Sequence, residues 1–211
     1  MRASIISCEM SDGSLDDGDA IATSRLPLAL SGNNDDPEGL DIRADGSWWV
    51  STEGNANAND ANNGGFEPFV GRVNSAGVVV EELPLPAAFD PIAPNGIRHN
   101  RGFEGVALMP NGGEIFTGAE EGLSQDELTG GGSELTRLFR FDLATGQAIA
   151  EYPYLLDNTP GQKGLVALLS TGGDSLLALE RAVGIGFDVR LFEVDVSAAG
   201  DVSGRTEIGT D

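Results

Sequence analysis

One two-strand unit, returning three times, constrains this chain more than any other feature. The run PEGLDIRADGSWWVSTE at 37–53 returns as FEGVALMPNGGEIFTGAE at 103–120 and QKGLVALLSTGGDSLLALE at 162–180. Each copy begins with a polar first slot (Glu38, Glu104, Lys163), then Gly (39, 105, 164), then an apolar run, a Gly-containing turn and a second apolar run ending in Glu53, Glu120 or Glu180. A repeat at an interval of roughly 60 residues is the signature of stacked supersecondary units.

A second hairpin follows each copy. Its first strand lies at 69–77, 137–146 and 190–200, and each time Asn74, Asp142 or Asp195 precedes a Gly turn that its side chain is suited to cap. Its second strand is read at 78–85 and 148–156. Residues 4–13 and 20–30 read as two further strands, a partial fourth copy. No segment holds a helical period for three turns, so the chain is read as all-β. Four antiparallel strands per repeat make a β-propeller blade, and roughly four to eight blades close a ring. The expected division is 1–32 as the end of a preceding blade, 33–97 and 98–157 as blades, and 158–211 as an incomplete blade. That is an incomplete ring of about three to four blades, with the rest of the propeller expected to lie outside this chain.

The turn midpoints set an expected register. A two-residue turn at Asp45-Gly46 places Glu38 opposite Glu53; a turn centred on Gly112 places Glu104 opposite Glu120; the third hairpin places Lys163 opposite Glu180. Like charges directly opposite one another are destabilising. Either these carboxylates are solvated strand ends, or something positive lies between them: a cation, Arg101, Arg181 or a shared proton. The Gly after each first slot allows close approach of another backbone or of a ligand. Trp48 and Trp49, with Phe116 and Leu177 as counterparts, are expected in the core.

Acidic residues outnumber basic ones by 34 to 12, a net charge of −22. This opposes binding to nucleic acid or to an anionic membrane. No apolar run is long enough to span a membrane, and the first ten residues lack the apolar core of a signal peptide. Cys8 is the only cysteine, so neither an intrachain disulfide nor a Cys-based metal site is available. G-x-S-x-G is absent, and His99, the sole histidine, reads as structural. Asn55, Asn57 and Asn59 alternate in the 54–66 loop, which reads as low complexity rather than an oxygen-ligand loop.

The runs DPEGL (36–40), NRGFEGVAL (100–108), ALER (178–181), RLFEVDV (190–196) and DVSG (201–204) resemble the phytase-like propeller family, "esterase-like activity of phytase". The likeness covers most of Asn33 to Gly204; the chain is shorter than the family domain, and its 54–66 loop is unusually rich in Asn. The resemblance implies a secreted or periplasmic bacterial propeller that hydrolyses phosphate or carboxylate esters, with calcium by analogy to propeller phytases. If the first strands are innermost, Glu38, Glu53, Glu104, Glu120 and Glu180 meet near a central channel and are the candidate calcium ligands. Glu38 and Glu104 with Arg101 and Arg181 are the candidate catalytic set, the arginines gripping a small anionic or ester substrate. A non-catalytic extracellular propeller, holding calcium and a ligand or partner at the same place, is the alternative.

Overall fold

The computed structural model describes residues 2–8, 20–28, 36–54, 68–90, 95–126 and 134–209, with strand pairing alone for 2–8 and 20–27. The Asn-rich loop lies outside these residues. Short apolar runs broken by Gly and Asn make strands, and every strand here is antiparallel to its neighbours. The first sheet pairs β1 (Arg2–Cys8) with β2 (Ala20–Pro27). The second runs β3 (Pro37–Ile42), β4 (Trp48–Thr52), β5 (Val70–Val73) and β6 (Val79–Glu82). The third runs β7 (Phe103–Leu108), β8 (Glu114–Ala119), β9 (Leu135–Asp142) and β10 (Gln147–Leu155). The fourth holds β11 (Gln162–Gly172), β12 (Ser175–Val183) and β13 (Phe187–Asp195).

Strands follow chain order within each sheet, and the first strand of the third sheet, β7, packs against both β3 and β11. These are propeller blades ranged side by side, and the sheets do not close into a ring. The core lies between blades. Trp49 and Val70 of one sheet meet Phe103, Val106 and Phe139 of the next. Phe89, from a single 3-10 turn at Ala87–Phe89, edges onto Phe139 with ring centroids 4.1 Å apart. Phe116, Leu138 and Tyr152 then meet Leu165, Leu168 and Leu176. Trp48 and Trp49 are both buried, as expected. Leu177 is only half-buried, and its neighbour Leu176 takes the core position because it points toward the third sheet.

The capped turns form as read. Asn74 Oδ1 accepts from the N–H groups of Ala76 and Val78, Asp142 Oδ1 from Ala144 and Thr145, and Asp195 Oδ1 from Ser197. The glycines also do as expected. A Cβ on Gly39 would lie 2.3 Å from the Glu104 carbonyl oxygen, and one on Gly105 would lie 2.7 Å from Leu168 N. Gly102, before β7, abuts the Glu53 backbone in the same way. First strands approach this closely only because no side chain intervenes.

The expected register is wrong by two residues in each hairpin. Glu53 donates its N–H to Asp36 O, Glu120 donates to Gly102 O, and Lys163 lies opposite Ala182. Two causes combine in the first hairpin. Arg43 and Ser47 close a three-residue loop with Gly46 at φ 80°, and a β-bulge between Pro37 and Leu40 then shifts the pairing once more. The bulge between Phe103 and Gly105 does the same in the second hairpin. In the third, the turn is centred two residues further along, between Gly172 and Ser175, and bulges at Ser170/Gly172 and Leu165/Ala167 take back half of the resulting displacement. A turn midpoint registers a hairpin only if both strands are free of bulges.

The last segment is a second correction. The run RTEIGTD at 205–211 reads from sequence as the last strand of the last blade, but residues 201–209 contain no strand and return instead to the third sheet. Val202 donates to Glu151 O, Ile208 donates to Asp126 Oδ1, and Val202 and Ile208 pack on Leu135.

If these glycines set the spacing between blades, Gly39→Ala lowers stability by about 1–3 kcal/mol in urea unfolding, the usual cost of overpacking. Gly186→Ala, where a Cβ meets nothing within 4 Å, is the control and leaves stability unchanged. Equal midpoints for Gly39→Ala and wild type would contradict the close approach.

Candidate functional site

The strand ends nearest the contacts among β3, β7 and β11 carry the acidic cluster. Glu53 follows β4, Glu104 sits in the β7 bulge and Glu120 follows β8. One carboxylate oxygen from each lies within 4.8 Å of the others, and all three residues are buried. Asp36, Glu38 and Glu53 form a second such group, with Asp36 and Glu38 exposed at its mouth. Glu53 belongs to both groups, so five carboxylates adjoin.

The cluster is not uniformly neutralised. Glu120 accepts from Arg101 Nη1 at 2.7 Å through one oxygen and from Arg181 Nη2 at 3.1 Å through the other. Arg101 also pairs with Glu121 at 2.9 Å. Asn100, left-handed at φ 55°, turns the chain immediately before Arg101. No cation of the chain pairs with Glu53 or Glu104 among the described residues. Glu53 is 2% exposed, and its Oε1 has no fixed hydrogen-bond donor.

Two buried carboxylates without a counter-ion resist ionisation. Burial, then the charges of Glu120 and Glu38, push Glu104 up to about 8; its hydrogen bond to Glu53 adds to this. Burial likewise pushes Glu53 up to about 7, against the lowering effect of the Glu104 hydrogen bond. At neutral pH the two carboxylates therefore titrate as a pair that retains a proton between them. Burial and then Asp36 raise Glu38 as well.

Not every residue expected at the site reaches it. Glu180 lies on the other face of β12, where it accepts from Tyr154 O–H at 2.6 Å and from Asp157 N at 2.9 Å. A shift of one position reverses the face of a strand residue, so Glu180 points toward β10 while its neighbour Arg181 reaches Glu120. Lys163 pairs with Glu134 at 3.4 Å rather than with Glu180. His99 is exposed in its turn and joins neither carboxylate group. Asp36 and Glu121 were not among the expected residues; Asp36 opens the DPEGL run and Glu121 follows Glu120, but the register error conceals Asp36.

A second polar centre went unread. Arg137, fully buried, makes a two-pronged pair with Asp126 at 2.7 and 2.8 Å and a bond to Glu151 at 3.0 Å. It also donates to Arg205 O and Thr206 O, which ties residues 201–209 to the third sheet. The signal lay in the alternation of β9, where Arg137 shares a face with Phe139 and Phe141. In this centre one guanidinium bonds both carboxylates and two backbone carbonyls; Glu53 and Glu104 have no such partner among the described residues.

The phytase-like family, "Esterase-like activity of phytase", matches residues 5–211. No curated protein matches the sequence. Among solved structures the chain is similar to Kuenenia stuttgartiensis hydrazine synthase, at 11% identity, 79% of this chain, 42% of that one and TM-score 0.43. It is also similar to the Dos1 propeller, at 7% identity, 84% of this chain, 37% of that one and TM-score 0.37. Virginiamycin B lyase from Staphylococcus aureus matches at 15% identity, 78% of this chain, 72% of that one and TM-score 0.26. The chain thus spans less than half the length of the first two.

The shared proton gives the site a pH signature. In EGTA, Glu53 and Glu104 hold protons more tightly folded than unfolded. Stability is therefore full below the ordinary value of 4.5 and declines as pH rises through about 7 and about 8. The lowered aspartates, such as Asp142 and Asp195, act below that window. Thermal melts from pH 5 to 8.5 should fall for wild type and fall less for Glu104→Gln; a flat or rising wild-type profile would contradict the assignment.

Proposed function

This chain belongs to the phytase-like family, and on that footing we propose that it hydrolyses phosphate or carboxylate esters with a divalent cation, calcium, held by Glu53, Glu104 and Glu120. The observation that carries the reading is the buried, unmatched pair. Glu53 Oε1 lacks a fixed donor, and three carboxylates converge within ligand reach. An all-oxygen anionic set suits calcium rather than a softer metal. Asp36 and Glu38 extend the donor set to the open mouth.

A cation bound there would polarise an ester oxygen and make a water more acidic. The chain's own residues would do the rest. Arg101, engaged by Glu120 and Glu121, is a positioning residue that fixes the Glu120 carboxylate. Arg181 is 43% exposed and bonds Glu120 through one terminal nitrogen. It is the residue placed to grip an anionic group of the substrate, which a chain of charge −22 would otherwise repel. Glu38, reached by solvent at the mouth but held above the usual carboxylate range by partial burial and then Asp36, is suited to hand a proton to a leaving group. Millimolar calcium and the acidic surface fit a secreted or periplasmic protein.

A second reading rests on a specific observation: both arginines already bond Glu120. In that reading the cation only fastens one blade to the next, and the propeller binds a ligand without turning it over.

One set of assays separates the two. Calcium should stabilise wild type by about 2.7 kcal/mol at a hundredfold excess over Kd, and Glu53→Gln should lose most of that gain. The hydrolase reading further requires turnover of p-nitrophenyl phosphate or a p-nitrophenyl acyl ester that EGTA abolishes and Arg181→Ala weakens. Stabilisation without turnover would leave the binding reading. Neither effect would remove both.

A further inference from the structure

A second concavity lies at the other end of the inner strands from the glutamates, beside the β3–β4 and β7–β8 turns. Glu38 lies near the start of β3 and Arg43 just beyond its end, about 16 Å away along an extended chain. The two turns line an open cavity of about 490 Å³ between the second and third sheets, a volume suited to a small molecule. Ile42, Leu108, Met109 and Pro110 supply its apolar surface, and Ile42 is left 61% exposed. Arg43 and Asn111 supply polar surface. The lining is held in place from both sides. Asp41 Oδ2 accepts from Leu108 N at 2.7 Å, and Met109 Sδ accepts from Ser170 Oγ at 3.2 Å.

The donors in this cavity are underused. Arg43 Nη2 donates to Gly112 O at 3.4 Å, and its Nε lies 4.0 Å from Asp45 Oδ2. By contrast Arg72, Arg101, Arg137, Arg140 and Arg181 each bond a carboxylate at 3.1 Å or closer. The flanking aspartates serve the backbone instead: Asp41 Oδ1 accepts from Ile42 N, and Asp45 Oδ1 from Ser47 N and Oγ. Asn111 Oδ1 accepts from Gly113 N, and its amide nitrogen has no acceptor among the described residues. Nor does the blade need a guanidinium at this slot. Arg43 N closes its turn on Ser47 O, as Met109 N closes the next on Glu114 O. Each lies two places beyond the strand partner of Trp49 or Phe116, so the repeat folds equally with a thioether there.

We propose that this cavity binds a small monocarboxylate with an apolar or aromatic body, its carboxylate on Arg43 and Asn111 and its body against Ile42, Leu108 and Pro110. A planar guanidinium fork matches a carboxylate. Asp41 and Asp45 set two negative charges beside one positive, so a singly charged acid is admitted where a polyanion is repelled. Covering Ile42 and its apolar neighbours supplies the rest of the binding. The site uses neither the glutamates nor a cation, so it stands or falls apart from the proposed hydrolysis.

Phenylacetate titrated into the isotope-labelled protein in EGTA tests this, with phenylacetamide as the uncharged control. The amide signals of Ala44, Asn111 and Gly112 should shift and saturate with phenylacetate. Arg43→Gln should raise the dissociation constant at least about tenfold, and phenylacetamide should bind wild type more weakly by a similar factor. Ile42→Ser, which leaves every charge in place, should weaken binding several-fold. Circular dichroism checks that both variants fold. Four results would overturn the proposal: no saturable shift, equal binding of the amide, an Arg43→Gln variant that binds as well as wild type, or shifts confined to residues around Arg181.

Discussion

The structure depends on how closely its first strands approach. β3, β7 and β11 pack together without side chains between them at Gly39, Gly102 and Gly105. That approach carries the strand-end carboxylates out of water along with the backbones. Burying one unpaired carboxylate is costly, and burying several together is more so. The chain supplies arginines to one of them, Glu120. Glu53 and Glu104 are left to share a proton or to bind a cation, and the same constraint that stacks the blades thereby creates the candidate site.

The contrast with Arg137 shows that this is not a general habit of the fold. Asp126 and Glu151 are as deeply buried as the glutamates, yet one guanidinium satisfies both and two backbone carbonyls besides. Removing such an arginine would strand two charges, so the centre reads as a fastener for residues 201–209. A pair without a cationic partner beside a centre that has one is the observation on which the proposed role of the glutamates rests. The family to which the chain belongs supplies the class of chemistry to test there.

The sequence carried much of this. The repeat, the all-β class, the capped turns at Asn74, Asp142 and Asp195 and the closely approached glycines were all readable from residue type and spacing. Alternation placed both tryptophans in the core. Pairing was less legible, because a β-bulge leaves no reliable mark in composition and each hairpin slipped by two residues. Glu53 and Glu104 still meet, because they come from neighbouring blades rather than from one hairpin. Glu180 could not be placed without the face of β12, on which a single residue decides. The return of residues 201–209 depends on Arg137, whose partners are distant in sequence and have no motif.

The central claim is that the Glu53–Glu104 pair exchanges a proton for a cation. Calorimetric titration of calcium into the protein near pH 6.5, in two buffers of different ionisation enthalpy, measures that exchange directly. The account predicts binding with release of about one to two protons per ion, falling toward zero above pH 8.5 as the pair empties of protons. Binding with no buffer dependence, or no binding, would contradict it.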